Sequence, residues 1–418
     1  MQETRGSLSG TNNHRWLIFF ILSLIYILVY FYRVSLAVVA SDLSRELSLT
    51  PSDLGRLSGI LFYVYAVAQL PLGPLIDRLG GRLVISACGI FTTIGGFLFS
   101  SATNLETAMA ARILIGIGTA SVLMATFTIF SHWFSKQEFG RVSGFMVAVG
   151  NIGNLIGTVP LALAVGAFGW RTSFVVIAVL QGIVTVLVYV TVRDRPSAIS
   201  CHEDNQNKKA TGILAAWKEI FGRSDFLLLG SLSFFWYGNY LAVQGLWGGP
   251  YLMNILHLSR TGTGRMLMFT SIGFIAGSLI IDLIARKVFS SYKRTLLAGQ
   301  SLLFLLMSGF LGWGEQLPEG LLVVWFFCIG LAVSSGVMIY PIIRNSFRVE
   351  IVGTALTSLN FFVLMGAAIT QHLMGVIIES LGKGSGGMTP GAFHAAFLFP
   401  MIGLAAAILL YLPVKERS

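Results

Sequence analysis

Apolar runs of membrane-spanning length recur along this chain, and nothing else restricts its fold so strongly. Six lie at about 16–39, 54–76, 83–101, 106–134, 142–168 and 173–192, and six more at about 226–248, 266–284, 295–314, 320–343, 351–379 and 394–413. A helix needs roughly 20 apolar residues to cross a hydrocarbon core about 30 Å thick. In lipid, only helices and closed barrels satisfy every backbone N–H and C=O. A barrel strand would alternate in polarity over about 10 residues, whereas these runs are longer and do not alternate. Composition agrees, since 55% of the 418 residues are hydrophobic and 11% charged, against roughly 25% charged in soluble domains. The expected fold is all-α and integral to a membrane, with twelve transmembrane helices in two six-helix bundles.

A polar stretch separates the two sets of runs. It gives an N-terminal bundle over 1–192, a central cytoplasmic loop over 193–225 with an amphipathic turn around Trp217, and a C-terminal bundle over 226–418. Cytoplasmic loops gather Lys and Arg. With the N-terminus inside, the inner segments hold 20 of the 28 Lys and Arg residues, the outer ones hold 6, and Arg33 and Arg112 lie within spans. Both termini are therefore expected in the cytoplasm, with a bacterial inner membrane as the setting. Val38-Val39-Ala40 faintly resembles a signal-cleavage site, but the run before it contains Arg33. Its removal would leave an odd number of spans, so it is read as a retained helix.

The net charge of +10 sits in short loops and forms no basic domain. Nucleic acid is not an expected partner; a small solute and membrane lipid are, with the chain acting as a monomer. Cys88, Cys201 and Cys328 have no CxxC spacing, and the His residues are scattered. Neither a disulfide framework nor a metal site is expected, and no cofactor. P-loop, HExxH and GxSxG patterns are missing, so no catalytic residue is assigned and the chain is not read as an enzyme.

The two halves echo each other. The second span ends in Gly73-Pro-Leu-Ile-Asp77-Arg78-Leu-Gly-Gly-Arg82, and the eighth in Ser278-Leu-Ile-Ile-Asp282 followed by Arg286-Lys287. Gly169-Trp170-Arg171 before the sixth span is loosely matched by Ala392-Phe393-His394 before the twelfth. A duplicated six-helix unit is the simplest account, and two such bundles around a central interface suit alternating access.

These stretches resemble the major facilitator superfamily. Residues 73–82 are similar to its loop signature G-x-x-x-D-R-x-G-x-R/K, and Arg112-Ile-Leu-Ile-Gly116-Ile-Gly118 to its fourth-helix pattern R-x-x-x-G-x-G. Tyr30-Phe-Tyr32-Arg33-Val-Ser-Leu-Ala37 resembles the organophosphate and organic-anion branches, and the run from Phe31 to Arg82 the phagosomal amino-acid transporters. The chain departs from the organophosphate antiporters by having no arginine inside the seventh span. Tyr32 stands where the anion:cation symporters often have aspartate. The resemblance implies a conformational latch at Asp77, Arg78 and Arg82, degraded in the second half to Asp282 and Arg286. It also implies a coupling or gating role for Arg112, whose other reading is an arginine facing the outer headgroups or Glu106.

Arg33 is the most informative residue. A guanidinium within a span needs a partner or a wet cavity. It stays charged at working pH, and its planar fork matches carboxylate or phosphate. Tyr26, Tyr30 and Arg33 recur at i, i+4 and i+7, so they share one helix face. The other reading is an arginine that snorkels to the headgroups. Gly153 and Gly157 in the fifth span have the spacing of close helix packing, and Pro160 is expected to kink that helix. Asn151 and Asn154 beside them either line a cavity or bond a neighbouring helix. Tyr237, Tyr240 and Gln244 in the seventh span either suit small polar ligands or are interfacial aromatics near the helix end at Gly248-Gly249-Pro250, with Tyr65, Gln69 and Tyr340 as lesser candidates. The central parts of spans 1, 4, 7 and 10 hold no Asp or Glu. His372 and Glu379 in the eleventh are the nearest groups for proton coupling, which favours facilitated diffusion or exchange.

The expected function is transport of a small organic solute bearing a carboxylate or phosphate: an amino acid, a peptide or an organic anion. Substrate-binding candidates are Arg33, Tyr26, Tyr30, Asn154, Tyr237 and Gln244. A drug or metabolite exporter is the alternative within transport, and a transporter-like solute sensor the alternative outside it.

Overall fold

A computed structural model describes residues 3–196, 213–382 and 388–415, and among them the chain is helical throughout, without strands. The first span is α1 (Glu3–Val34) continued, after a turn at Ser35, by α2 (Leu36–Leu47). The second is α3 (Pro51–Leu79), the third α4 (Gly81–Ser100), and the fourth α5 (Leu105–Ala120) with α6 (Val122–Trp133). Then come α7 (Lys136–Ile156) and α8 (Val159–Thr191). Beyond the central stretch lie α9 (Ile213–Phe221), a helix of nine residues where one amphipathic turn was expected around Trp217, and α10 (Ser224–Leu241). A π turn, Ala242–Trp247, joins α10 to α11 (Gly248–Asn254), completing the seventh span. The rest are α12 (Arg260–Ile284), α13 (Tyr292–Met307), α14 (Glu319–Val333) with α15 (Ile339–Ser346), α16 (Val349–Gly382) and α17 (Pro390–Tyr411).

Ten stretches of the described residues are long and apolar enough to cross a membrane. One of them, Gly144–Thr191, runs for 48 residues, far more than one crossing needs. Gly169 divides it, with φ 79° and ψ 161° inside α8. That conformation is open to glycine at little strain, so the fifth span ends there and the sixth begins at Trp170. Pro160 sits in the first turn of α8, where its missing N–H breaks no helix bond. The 29 residues of α3 complete the twelve-helix fold.

Large apolar side chains lie uncovered on the helix flanks, such as Leu279, Phe168 and Leu409, each more than 60% exposed. Water would penalise that surface by about 25 cal/mol per Å²; lipid does not. Internal contacts resolve the chain into two compact units: Met1–Arg33 with Val64–Gly157 and Ala164–Asn207, and Val34–Tyr63 with Thr158–Leu163 and Lys208–Ser418.

Candidate functional site

In the first unit the guanidinium of Arg33 lies against two rings. Its Cζ stands 4.8 Å from the centroid of Tyr30 and 4.8 Å from that of Tyr65. Tyr30 lies one turn back on α1, and Tyr65 comes across from α3. Arg33 is 8% exposed, so this is a charge taken into protein rather than one reaching the surface. Desolvated cation–π contacts are worth up to about 2 kcal/mol. The rings also fix the guanidinium plane, and all five N–H donors of an arginine lie in that plane.

The tyrosine stripe read from the spacing is present. Tyr26 Oη donates to Tyr30 Oη at 3.4 Å, and their rings meet edge to face at 5.1 Å. Helix α7 makes room for them. A methyl at Gly150 would lie 2.6 Å from the Tyr26 ring and 3.0 Å from that of Tyr30, and one at Gly153 would overlap the Ile27 carbonyl. Asn154 follows Gly150 by four residues and shares its face of α7. Its Nδ2 donates to Asn151 Oδ1 at 3.1 Å, and both side chains are buried. Arg33, Tyr26, Tyr30 and Tyr65 thus form one cluster on α1 and α3, with the two asparagines on the helix packed against it.

Arg112 has a different setting. It is 1% exposed, and its Nη1 donates to the backbone carbonyl of Tyr32 at 2.9 Å. Helix α5 approaches α4 closely, since a methyl at Gly118 would lie 2.5 Å from Cys88 O.

The signature loop is built on the end of α8. Arg82 N donates to Asp194 Oδ1 at 2.9 Å, Arg82 Nε to Tyr189 O at 2.8 Å, and its guanidinium covers the Tyr189 ring. Gly80, at φ 84°, makes the turn. Arg78 is exposed, and the side chain of Asp77 lies outside the described ones. In the second half Asp282, near the end of α12, and Arg286, in the π turn Ala285–Phe289 that follows it, form an exposed ion pair.

In the second unit Gln244 sits on the π turn, fully buried, and its Nε2 donates to Ser271 Oγ at 3.0 Å. Tyr240 stacks on Phe274 at 5.5 Å, and Tyr237 meets Tyr240 at 5.8 Å. Tyr340 is 40% exposed. Glu379 accepts from Ser52 N at 3.1 Å, so it caps the first turn of α3. A carboxylate there meets the positive end of the helix dipole.

The spacing rules missed Gln371. It is fully buried on α16; its Nε2 donates to Leu241 O at 2.8 Å, and its Oε1 accepts from Ser58 Oγ at 2.7 Å. Leu241 is where α10 gives way to the π turn, whose wider pitch disturbs the helix ladder. A lone glutamine within an apolar run was the one available signal.

The family model of the Major Facilitator Superfamily matches residues 22–248. The chain is 27% identical over 268 residues to the probable L-galactonate transporter of Escherichia coli (strain K12), a match spanning 60% of this chain and 58% of that protein, under two thirds of its length. It is 24% identical to the membrane sensor protein UhpC of the same organism, over 93% of this chain and 89% of the sensor. A crystal structure of a bacterial homolog to the human lysosomal transporter Spinster superposes with TM-score 0.77 at 17% identity, covering 95% of this chain and 96% of that one. At that identity the likeness speaks for the fold.

Proposed function

Since this chain belongs to the major facilitator superfamily, whose model matches more than half of it, we propose that it moves a small organic anion across the membrane by alternating access. The solute bears a carboxylate or phosphate, with sugar acids and related organic acids first and amino acids after them. The observation that supports this is Arg33, a permanent cation in a span, 8% exposed and lying against the rings of Tyr30 and Tyr65. Recognition by a guanidinium lies in the plane of its N–H groups, and planar or tetrahedral oxyanions fit that edge. Tyr26 and Asn154 complete the site in the first unit; Tyr237 and Gln244 are the binding candidates of the second.

On the same reading, residues 1–192 and 226–418 are the two pseudo-symmetric bundles, and both termini face the cytoplasm of a bacterial inner membrane. Asp77, Arg78 and Arg82, with Asp282 and Arg286, set the conformational equilibrium at the cytoplasmic ends, and Arg112 holds the helices that gate it.

Uptake into proteoliposomes tests the proposal against sugar acids, amino acids, dipeptides and sugar phosphates. A hydrogen bond to a charged group is worth about 1.5–3 kcal/mol, so Arg33→Ala lowers uptake of the carried anion about 10- to 100-fold. Arg33→Lys restores part of it at best, because an ammonium lacks the fork. Equal uptake by all three proteins would sink the assignment. The likeness to a membrane sensor over most of the chain supports a second reading, in which the solute binds and does not cross. Saturable binding without flux would select it.

A further inference from the structure

A recess of about 440 Å³, its mouth included, lies among helix ends of the second unit. The residue before α10 brings Arg223 to it, and the first turn of α13 brings Lys293. The end of α15 contributes Asn345, and the chain after α17 contributes Lys415. Buried rings of Phe226, Phe347 and Tyr411 complete the lining. None of these residues belongs to the cargo site or to the latch.

Two of the cations are fastened by the fold. Arg223 Nη1 donates to Ser346 O at 2.6 Å, and its Nε and Nη2 meet the two oxygens of Asp225. Its Cζ lies 4.2 Å from the centroid of the Phe347 ring. Lys293 Nζ donates to Leu412 O at 2.6 Å and also to Val414 O, with the Tyr411 ring 5.7 Å away. These bonds serve the carbonyls at the ends of α15 and α17, which have no donor within their own helices. They do not remove the charge, because a carbonyl is a dipole and a cation bonded to it stays a cation. Asp225 is the one carboxylate among the described lining residues, against Arg223, Lys293 and Lys415, so the lining carries a net +2. Arg294 and Arg344, exposed and next in sequence to lining residues, add to the same field.

We propose that this recess binds a phosphate group carried on an apolar or aromatic body. A phosphate monoester bears a charge of about −1.5 to −2 at neutral pH, which matches the lining. A lone carboxylate would leave half of that positive charge unmatched. Cations already held in place lose little side-chain entropy when an anion arrives. The rings take the apolar body, and the volume falls in the range of small-molecule sites. On the orientation read from Lys and Arg, this end of the bundle faces the cytoplasm. The phosphate then comes either from a soluble phosphorylated metabolite or from the headgroup of an anionic phospholipid. Arg33 belongs to the other unit, and the inference does not depend on the cargo assigned to it.

The test melts the purified full-length protein in detergent with increasing inorganic phosphate, potassium chloride holding the ionic strength fixed. Phosphate is expected to raise the melting temperature saturably, as a ligand of the folded state does. Two exposed positions carry the substitutions, so packing is kept. Asn345→Asp adds a negative charge and raises the half-saturating phosphate several-fold. Lys415→Glu takes the net +2 of the lining to zero and abolishes the shift. Arg33→Ala retains the shift, which separates this recess from phosphate held at the cargo site. A parallel series replaces inorganic phosphate with short-chain phosphatidylglycerol or phosphatidylcholine.

A shift with inorganic phosphate that Lys415→Glu removes supports the site with a soluble ligand. A shift with phosphatidylglycerol alone, removed by the same substitution, supports it with a lipid headgroup. No shift with either probe overturns the site, and so does a shift that Lys415→Glu leaves intact or that Arg33→Ala abolishes. The assay involves no transport, so its failure leaves the anion assignment standing, and loss of that assignment leaves the recess.

Discussion

Arg33 and Arg112 are both arginines inside membrane spans of the N-terminal half, and the protein treats them in opposite ways. Arg112 spends an N–H on a backbone carbonyl, that of Tyr32, and is 1% exposed. Arg33 lies against the rings of Tyr30 on its own helix and Tyr65 on α3. A bond to a main-chain carbonyl ties one helix to another and serves the fold. Ring contacts orient the donor plane, which suits the cargo-binding role proposed for Arg33. On the proposed reading, the same residue type serves as a strut in one place and as a binding edge in the other.

The largest effect separates the two. Replacing Arg112 by alanine removes a charge-assisted hydrogen bond of about 1.5–3 kcal/mol and leaves a cavity in a packed interior. The purified Arg112→Ala protein is expected to melt well below the wild type in detergent, with low yield from the membrane. Arg33→Ala is expected to keep most of its thermal stability and lose uptake. If Arg33→Ala melts as early as Arg112→Ala, both are struts and the contrast collapses.

A smaller effect tests the rings. Tyr65→Leu removes one of the two ring contacts while keeping an apolar side chain. A lost cation–π contact of about 1–2 kcal/mol predicts uptake lower by roughly tenfold, carried mostly in the KM if the ring orients Arg33 for binding. Tyr65→Phe keeps the ring and is expected to retain most of the uptake. Equal loss in the two variants would move the weight from the ring face to the hydroxyl.

Much of this arrangement was legible before any coordinates. The apolar runs and their helical length gave the twelve spans, because lipid leaves the backbone little choice. The i, i+4, i+7 spacing placed Tyr26, Tyr30 and Arg33 on one face, and the structure has them together. Periodicity works within a helix, where geometry ties spacing to direction. It is silent between helices. Tyr65 ranked among the lesser candidates, although it lies against Arg33, because nothing in the α3 sequence says which helix lies opposite. Gln371 escaped notice for the same reason. Its partners Ser58 and Leu241 stand more than a hundred residues away. The π turn at Ala242–Trp247 likewise has no spacing of its own to announce it.

The smallest expected effect marks the boundary between strut and binding edge. Tyr32 lies between the two arginines in role: its carbonyl receives Arg112, and it precedes Arg33 in the chain. Its hydroxyl is buried and has no hydrogen-bond partner among the described residues. The space beside it is filled, since a methyl at Gly96 would come within 2.9 Å of both the hydroxyl oxygen and the Ala178 Cβ. An unpaired buried hydroxyl stabilises nothing, and desolvating it is unfavourable by about 1–3 kcal/mol. Removing it while keeping the ring therefore favours the folded state or leaves it unchanged. Tyr32→Phe is expected to melt at or slightly above the wild-type temperature, with uptake within about twofold, a difference under ~0.5 kcal/mol. Because the Arg112 bond runs to the main chain, it survives the substitution. A fall in uptake at unchanged melting temperature would show that the hydroxyl meets the cargo during the cycle. The boundary would then pass between Tyr32 and Arg112, and the binding edge would extend one residue further back along α1.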